Sequence, residues 1–450
     1  MKRLGLVLLI LMLSASLLAD EMAVTVYNSN LGVVSETRTL DFQKGTNRLS
    51  FPDVPSLIDI NSVRFALENN SHRVSILEQN FAFDLVNTRK IYDRYVDKEI
   101  ELIDKDGRLY KGTLLSSSDG AVVLRDKSGG IKIVRMDGIA EVNFPTLPDG
   151  LITRPTLFWL YQSDFAGSID SRVSYQTAGM NWTAEYVGVL SSEEDRLDLS
   201  GWAAIGNTSG KTYRDASLKL VAGDIHRAVS PRPTPPRGME MMMAEKTMGA
   251  GFEEKPFFEY HLYTLPRKAT LADKEIKQIS LFDPATTGVE KKFLYRPSQD
   301  PKHVEVVLEY VNSEANGLGM PLPAGRVRLF KADDDGSLIL LGEDRIEHTP
   351  ENEEVTLKVG TAFDIVCSET MTNQSMVSKR IEERTFEIEL RNRKDEAVAI
   401  DIEKRFHGFW SVVEADFKYA KKDANTVAAT ISVPAGETRT LTYSVRFEYR

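Results

Sequence analysis

The sequence predicts an all-β protein built from antiparallel β-sandwich modules with a small inserted β-barrel. Three observations support this fold class. Apolar and polar residues alternate with a period of two along much of the chain, turn signals separate the alternating runs, and only residues 83–96 present a candidate helix. Short alternating strands divided by turns are typical of sandwiches and small barrels.

Residues 1–19 have the layout of a secretory signal peptide. Lys2 and Arg3 precede an apolar run over residues 4–13, and small residues follow up to Ala19. The apolar run is shorter than the roughly 20 residues that a transmembrane helix needs. We therefore expect cleavage after Ala19, export, and no transmembrane span in the mature chain.

Net charge and cysteine content indicate which partners and which cellular compartment are compatible with the sequence. The formal net charge is −10 at pH 7, which argues against nucleic acid as a partner. The single cysteine, Cys367, excludes an internal disulfide and favours the periplasm or cell envelope of a bacterium. Cys367 ends an apolar run, so we expect a buried small hydrophobe rather than a nucleophile.

The first half of the mature chain divides into N-terminal β-strands over residues 20–83 and a small β-barrel over residues 84–148. The turns DKDG, SSDG and KSGG follow one another closely between short β-rich runs, which favours a strongly bent barrel. Its predicted core consists of Ile100, Leu102, Leu114, Val122, Leu124, Ile131, Ile133 and Ile139.

A central β-rich domain is predicted over residues 149–379, with a flexible loop at residues 230–256. The loop begins with prolines and continues into a methionine cluster formed by Met239, Met241, Met242, Met243 and Met248. Methionine thioethers bind Cu(I), but the spacing is irregular and neither His nor Cys lies within the segment. A flexible loop is therefore favoured over a metal site, and a partner-binding role stays open.

Residues 380–450 are predicted to be the strands of a C-terminal β-sandwich. In the last run, TLTYSVRFEYR, the residues Leu441, Tyr443, Val445, Phe447 and Tyr449 share one face. The preceding runs TVAATISV, AVAIDIEKRF and RTFEIEL repeat this alternation across polar turns.

Motifs that carry catalytic or metal chemistry are missing from the sequence. The six histidines are scattered and form no HExxH pair. The acidic turns at residues 104–107 and 333–336 lack the continuation of a calcium loop, which ends in a bidentate Glu at position 12, so we interpret them as hairpin turns. We therefore predict no enzyme, no catalytic, cofactor-binding or metal-ligating residue, and no cofactor.

Aromatic residues offer a second class of function. Trp182 and Tyr186 lie close together in VSYQTAGMNWTAEY, where they could flank a glycan-binding platform. Large aromatic side chains more often pack between sheets, and we favour that interpretation.

Four segments in a distinctive order resemble a known family. They are VSYQTAGMNWTAEY (173–186), LDLSGWAAIGNTSGKTYRDASLKLVAGDIHR (197–227), FEYHLYTLPRKATLADKEIKQISLF (258–282) and GLGMPLPAGRVRLFK (317–331). The chain resembles, from Val24 to Arg450, the bacterial envelope family filed as domain of unknown function 4139, some members of which are labelled mucoidy-inhibitor-like. The resemblance implies export, a β-rich fold and no known cofactor, and it supplies no catalytic residues.

Two hypotheses of function follow from these observations. The first is an exported, non-enzymatic β-protein of the cell envelope that docks another envelope protein or has a structural role. The alternative is a glycan-binding or glycan-processing envelope protein that uses the aromatic segments.

The mature chain is expected to begin at or near Asp20, because small residues precede it at the end of the predicted signal peptide. N-terminal sequencing of the protein from a periplasmic fraction checks this expectation. Recovery of a chain that still begins with Met1 from the membrane pellet would contradict it.

Overall fold

The computed structural model describes residues 21–68, 73–148, 151–223, 253–257 and 260–449. Within them the chain has 31 strands, one α-helix and two short 3-10 helices, which confirms the all-β class. The predicted signal peptide and methionine cluster lie outside the described residues and stay predictions. The predicted loop at 230–256 is too long at its end, because a strand begins at Glu253.

Strands follow one another along the chain with a single α-helix among them. Up to residue 143 the elements are β1 (Met22–Tyr27), β2 (Leu31–Phe42), β3 (Gly45–Pro52), β4 (Ile58–Leu67), β5 (Val74–Ala82), α1 (Thr88–Tyr95), β6 (Glu99–Asp104), β7 (Leu109–Ser116), β8 (Ala121–Arg125), β9 (Ile131–Arg135) and β10 (Ile139–Asn143). The next are β11 (Thr156–Ser163), β12 (Gly167–Thr177), β13 (Met180–Leu190), β14 (Arg196–Asn207), β15 (Tyr213–Ala222), β16 (Glu253–Phe257), β17 (Tyr260–Thr264), β18 (Ala269–Leu271), β19 (Glu275–Ser280) and β20 (Ala285–Gly288). The last are β21 (Glu290–Tyr295), β22 (His303–Val311), β23 (Gly325–Ala332), β24 (Leu338–Ile346), β25 (Glu354–Ser378), β26 (Ile381–Asn392), β27 (Val398–Arg405), β28 (Phe409–Ala415), β29 (Ala420–Lys421), β30 (Thr426–Val433) and β31 (Thr438–Glu448).

The N-terminal strands pair with strands from the middle of the chain. An eight-stranded sheet has the order β16-β17-β15-β1-β2-β12-β4, and β18 also pairs with β15. A three-stranded sheet has the order β3-β11-β5, and a six-stranded sheet has the order β19-β14-β13-β23-β24, with β20 also on β14. Strand β1 is parallel to β15, with Ala23 opposite Ser217. The first strands are therefore structural parts of the central sheets.

These three sheets share one hydrophobic core. Side chains that meet there include Val34 from β2, Trp159 from β11, and Trp182 and Tyr186 from β13. Trp159 and Trp182 are among the largest side chains that are almost fully buried. Burial of such large apolar surfaces provides the main favourable free energy of folding for this part of the chain.

The unit predicted as a small barrel is an open sheet. Its five strands have the order β10-β6-β7-β8-β9, and β9 and β10 are the two edges. Helix α1 contributes Tyr92 and Tyr95 to the core of this sheet. Because these two tyrosines help to cover the apolar face, the strands can bury that face without closing on themselves, and the barrel prediction is wrong on this point.

The predicted core of this unit is correct except on β9. Ile100, Leu102, Leu114, Val122 and Leu124 are buried, and Ile139 packs partly against them. Ile131 and Ile133 are 56% and 70% exposed, which contradicts the prediction.

The pairing of β8 with β9 explains this error. Val122 lies opposite Val134, and Leu124 lies opposite Lys132. Directly opposed residues point to the same face of a sheet, so Val134 enters the core and its neighbour Ile133 points away.

The predicted helix and hairpins are present, and the helix is shorter than expected. Helix α1 begins after Asn87, whose side chain accepts a hydrogen bond from Lys90 N at 2.9 Å and so caps the first turn. The acidic turns at 104–107 and 333–336 connect β6 to β7 and β23 to β24, as predicted. Gly107 and Gly336 adopt φ of 79° and 82°, which such turns require.

A nine-stranded sheet forms the C-terminal part, with the order β28-β31-β26-β25-β22-β21-β27-β30-β29. It folds over on itself as a sandwich around a core of its own. The strands after residue 380 make up a large part of this sandwich, and β21, β22 and β25 supply the rest. The predicted inner face of β31 is confirmed for Leu441, Tyr443, Val445 and Phe447, whereas Tyr449 is 47% exposed.

The register of β8 and β9 can be tested with two matched truncations. Leu124→Ala is expected to lower the free energy of unfolding by about 2–5 kcal/mol, because the side chain is 1% exposed. Ile133→Ala is expected to change it by less than about 0.5 kcal/mol, because that side chain is 70% exposed. Equilibrium denaturation in urea measures both, and equal losses would contradict the observed register.

Candidate functional site

A buried ion pair joins the eight-stranded sheet to the connection between β14 and β15. Glu36 is on β2, and Lys211 is in the connection between β14 and β15. Their side chains are 2% and 3% exposed, and Lys211 Nζ lies 3.0 Å from Glu36 Oε1 and 3.1 Å from Oε2. Buried charges are tolerated when they are paired and hydrogen-bonded, and this pair meets both conditions.

Two further residues complete the surroundings of the Glu36 carboxylate. Tyr175 on β12 donates its hydroxyl to Oε1 at 2.9 Å, and Arg38 donates Nε to Oε2 at 3.0 Å. The Arg38 guanidinium also lies 4.0 Å from the centre of the Phe51 ring. Both carboxylate oxygens are therefore engaged from more than one side.

The pKa shifts around this carboxylate have a common cause. Burial, followed by the charge of Glu36, raises the pKa of Tyr175 well above its ordinary value. Burial also lowers the pKa of Lys211, and the nearby carboxylate opposes that effect. The tyrosine therefore stays a neutral hydrogen-bond donor at neutral pH, and the carboxylate supports the charged form of the lysine.

The loop that presents Lys211 is held by Asn207. Its Nδ2 donates to the carbonyl oxygens of Lys211 at 2.8 Å and of Leu271 at 3.1 Å, and its Oδ1 accepts from Ser209 Oγ at 2.8 Å. Gly210 in this loop has φ of 88°, and a Cβ at that position would lie 2.4 Å from the Ser56 hydroxyl. Packing against Ser56 and the positive φ therefore both favour glycine at position 210.

The groups of this arrangement bind one another and are enclosed by the protein. The described side chains of Glu36, Lys211 and Tyr175 donate and accept internally, and all three residues are at most 5% exposed. Among the described residues, no group of three or more His, Cys, Asp or Glu side chains is placed to hold a metal ion.

The two aromatic residues considered for a glycan platform lie in the core. Trp182 is 2% exposed and donates its indole N–H to the Val221 carbonyl at 2.9 Å. Tyr186 is fully buried and donates its hydroxyl to the Pro323 carbonyl at 2.7 Å. The prediction that these rings pack between sheets is confirmed, so neither of them can stack on a sugar at the surface.

Cys367 is buried, as predicted from its apolar neighbours. Burial raises the pKa of its thiol to about 12. A thiol with such a pKa is almost entirely protonated at neutral pH, which is unsuitable for a nucleophile.

A second feature is the open edge of β25. The strand has 25 residues and pairs with β22 only up to Val366. Its last 12 residues, 367–378, pair with β26 on one side and with no strand on the other among the described residues. We call this segment the β25 edge.

The β25 edge lacks the proline and lysine that often prevent strand addition, and its pairing with β26 has register shifts between Met371 and Asn373 and between Met376 and Ser378. Its sequence, CSETMTNQSMVS, contains neither proline nor lysine, and its one charged residue is Glu369. The Glu369 carboxylate is directed to Tyr443, whose hydroxyl donates to it at 2.6 Å, and to Lys404. Met371, Met376 and Val377 are 47%, 61% and 55% exposed. By contrast, β16 at an edge of the eight-stranded sheet contains Pro256.

The sheets define a multi-sheet all-β protein, and the buried ion pair lies within its largest core. It belongs to the family described as Domain of unknown function (DUF4139), which matches residues 171–450. No curated protein matches the chain. Tyr175, Lys211 and the β25 edge lie within the matched residues, whereas Glu36 and Arg38 precede them.

Sequence reasoning did not find either feature. Lys211 lies in one of the four segments that carry the family resemblance, in the run NTSGKTY, and that was the available signal. Glu36 follows Ser35 in an ordinary alternating strand, and nothing local marks it as buried. The β25 edge cannot be recognised in the sequence of β25. It exists because β22, a strand from another part of the chain, ends opposite Val366.

Lys211→Met is expected to lower the free energy of unfolding by about 3 kcal/mol. The substitution removes one of the two cations that lie within an ion-pair distance of the buried Glu36 carboxylate among the described residues, and only Arg38 is left. Adding Glu36→Gln to this variant is expected to restore at least half of the loss. Chemical denaturation measures both effects. Lys219→Met, at an exposed position on β15, is the control and is expected to be neutral. Equal effects of Lys211→Met and Lys219→Met would contradict the assigned role of the pair.

Proposed function

We propose that the chain is a non-enzymatic protein-docking module of the bacterial cell envelope, and that a strand of a partner protein adds to the β25 edge. The observation that carries this proposal is the length of that edge, 12 residues without a second strand among the described residues. Strands in globular proteins average about 5–6 residues, so the edge can receive a complete partner strand.

Strand addition explains how the edge would bind. Along residues 368–378, the peptide N–H and C=O groups of alternate residues face the side on which no second strand pairs among the described residues. The N–H of Cys367 already donates to the Lys302 carbonyl. An added strand satisfies these groups through main-chain hydrogen bonds, and side-chain contacts on alternate positions provide selectivity. Met371 and Met376 are exposed along this segment, and methionine adapts its shape to different partners.

The placement in the envelope rests on the predicted signal peptide and on cysteine content. A secretory leader over residues 1–19 directs a protein out of the cytoplasm. Among the described residues, no helix is long and apolar enough to cross a bilayer.

The non-enzymatic part of the proposal is supported by the burial and internal pairing of Glu36, Lys211 and Tyr175. The Glu36 carboxylate, the Lys211 ammonium and the Tyr175 hydroxyl bind one another inside the core. Groups that act on a substrate must reach it, and these three residues are at most 5% exposed.

The proposal predicts a position-specific crosslink in cells. A photo-crosslinking residue at Asn373, which is exposed on the β25 edge, is expected to capture an envelope protein. The same residue at Lys132, exposed on the edge strand β9, is the matched control and is expected to capture less.

Two lysine substitutions on the β25 edge provide the second arm of this experiment. Met371→Lys with Met376→Lys is expected to abolish the Asn373 adduct, because inward-facing or flanking lysines prevent strand addition. Ile133→Lys, at a side chain that is 70% exposed on another sheet, is expected to leave the adduct intact. Circular dichroism of each purified variant checks that the fold is retained. An adduct that persists with both edge lysines, or equal adducts from Asn373 and Lys132, would contradict the proposal.

A further inference from the structure

The register between β25 and β26 shows which side chains of the β25 edge share a face. Directly opposed residues of paired strands point to the same face of a sheet. One face of the edge carries the residues opposite even-numbered positions of β26, which are Met371, Gln374 and Met376. The other face carries the residues opposite odd-numbered positions, which are Thr370, Asn373, Ser375 and Ser378. Thr372 and Val377 have no opposite residue in β26, because the register shifts at each of them.

Without these two bulged residues, the edge has the same chemical character when it is followed from either end. The paired positions are, in chain order, Thr370, Met371, Asn373, Gln374, Ser375, Met376 and Ser378. The first and last carry hydroxyl groups, the second from each end is methionine, and the third from each end is a small polar residue. Gln374 is in the middle. Such a strand can pair antiparallel with a second copy of itself about a two-fold axis at Gln374.

In that pairing each side chain would meet one of its own kind. On one face, Met371 would lie opposite Met376 of the second copy, and the two copies of Gln374 would lie opposite each other. The pairs on the other face would join hydroxyl and amide side chains, Asn373 with Ser375 and Thr370 with Ser378. Methionines adapt their shape to one another, and hydroxyl and amide pairs form hydrogen bonds across antiparallel strands.

Charge and length also fit a second copy. Residues 370–378 contain no charged side chain, so a symmetric pairing brings no like charges together. An axis one position earlier, at Asn373, would instead place Met376 opposite Glu369. The paired segment begins four residues after Val366, where the pairing with β22 ends, so the added strand does not overlap the stretch that β22 occupies.

We propose that the β25 edge binds a second copy of this chain, and that the two edges form a symmetric antiparallel dimer with its axis at Gln374. This inference rests on the proposed docking function and names the partner. Dimer formation buries the exposed side chains of Met371 and Met376, and it closes two open sheet edges at once.

The mass of the exported chain in solution tests the dimer. Analytical ultracentrifugation over a range of micromolar concentrations is expected to give twice the mass of one chain. Met371→Lys with Met376→Lys places like charges opposite each other across the interface, and it is expected to raise the dissociation constant of the dimer by about tenfold or more. Ile133→Lys, at a position that is 70% exposed on another sheet, is the control and is expected to dimerise like the wild type.

Disulfide formation tests the position of the axis. Directly opposed residues have Cβ atoms about 4.5–5.5 Å apart, close enough for a disulfide after a small adjustment. Gln374→Cys is therefore expected to form a covalent dimer on mild oxidation, which a non-reducing gel detects. Ser378→Cys is the matched control on the same edge, because its two copies would lie about 20 Å apart along the strands. The native Cys367 is buried and does not interfere.

A mixture of two variants tests the same register away from the axis. Met371→Cys and Met376→Cys proteins are expected to form a mixed disulfide when they are combined. Each alone is expected to form little covalent dimer, because two copies of the same methionine position would lie about 13 Å apart.

The possible failures separate this inference from the docking function. A chain that stays monomeric, while a photo-crosslinker at Asn373 captures a different protein, would overturn the dimer and support docking. A monomeric chain without an Asn373 adduct would overturn both. A dimer that persists with both edge lysines would overturn the assignment of its interface to β25. Covalent dimers from Ser378→Cys, with none from Gln374→Cys or from the mixture, would overturn the axis at Gln374.

Discussion

The buried Glu36 carboxylate is the constraint on which the largest core depends. Removing a carboxylate from water costs several kcal/mol unless partners replace the lost hydration. Those partners come from three places in the chain, Arg38 on the same strand, Tyr175 on β12 and Lys211 in the loop before β15. The carboxylate is satisfied only when β2, β12 and that loop are all in place, so the ion pair links the assembly of the sheet to one arrangement of its strands.

This constraint explains why the N-terminal strands belong to the same folding unit as the family region. The family matches residues 171–450, yet the carboxylate that binds Tyr175 and Lys211 is contributed by β2. Strand β1 lies between β15 and β2 and hydrogen-bonds to both. Without β1, the long edge of β15 in the family region would lose a neighbour, and the core between the sheets would lose Val24 and Val26.

The C-terminal sandwich differs from this core in what it leaves available. In the central sheets, the Glu36 carboxylate is buried and is bound by Arg38, Tyr175 and Lys211. In the sandwich, β25 continues past the end of β22, and a small apolar cavity of about 20 Å³ lies inside. Glu369 connects these features, because it belongs to the β25 edge and binds Lys404 and Tyr443 beside the cavity. The open edge of β25 therefore occurs where β22 ends and the sheet has no further strand among the described residues.

The sequence by itself determined the local features. Period-two alternation predicted the all-β class, Asp-Gly turns predicted hairpins, and the apolar surroundings of Cys367 predicted its burial, because each depends on residues close together in the chain. The tertiary structure alone decided which strands pair and which alternating face is buried. Ile133 and Val134 are equally apolar, and only the register against β8 places Val134 inside. Likewise, Glu36 has a partner because folding brings Lys211 to it, and the β25 edge is open because β22 ends early. Such pairings arise from contacts between distant segments, and alternation within one segment contains no information about its neighbour.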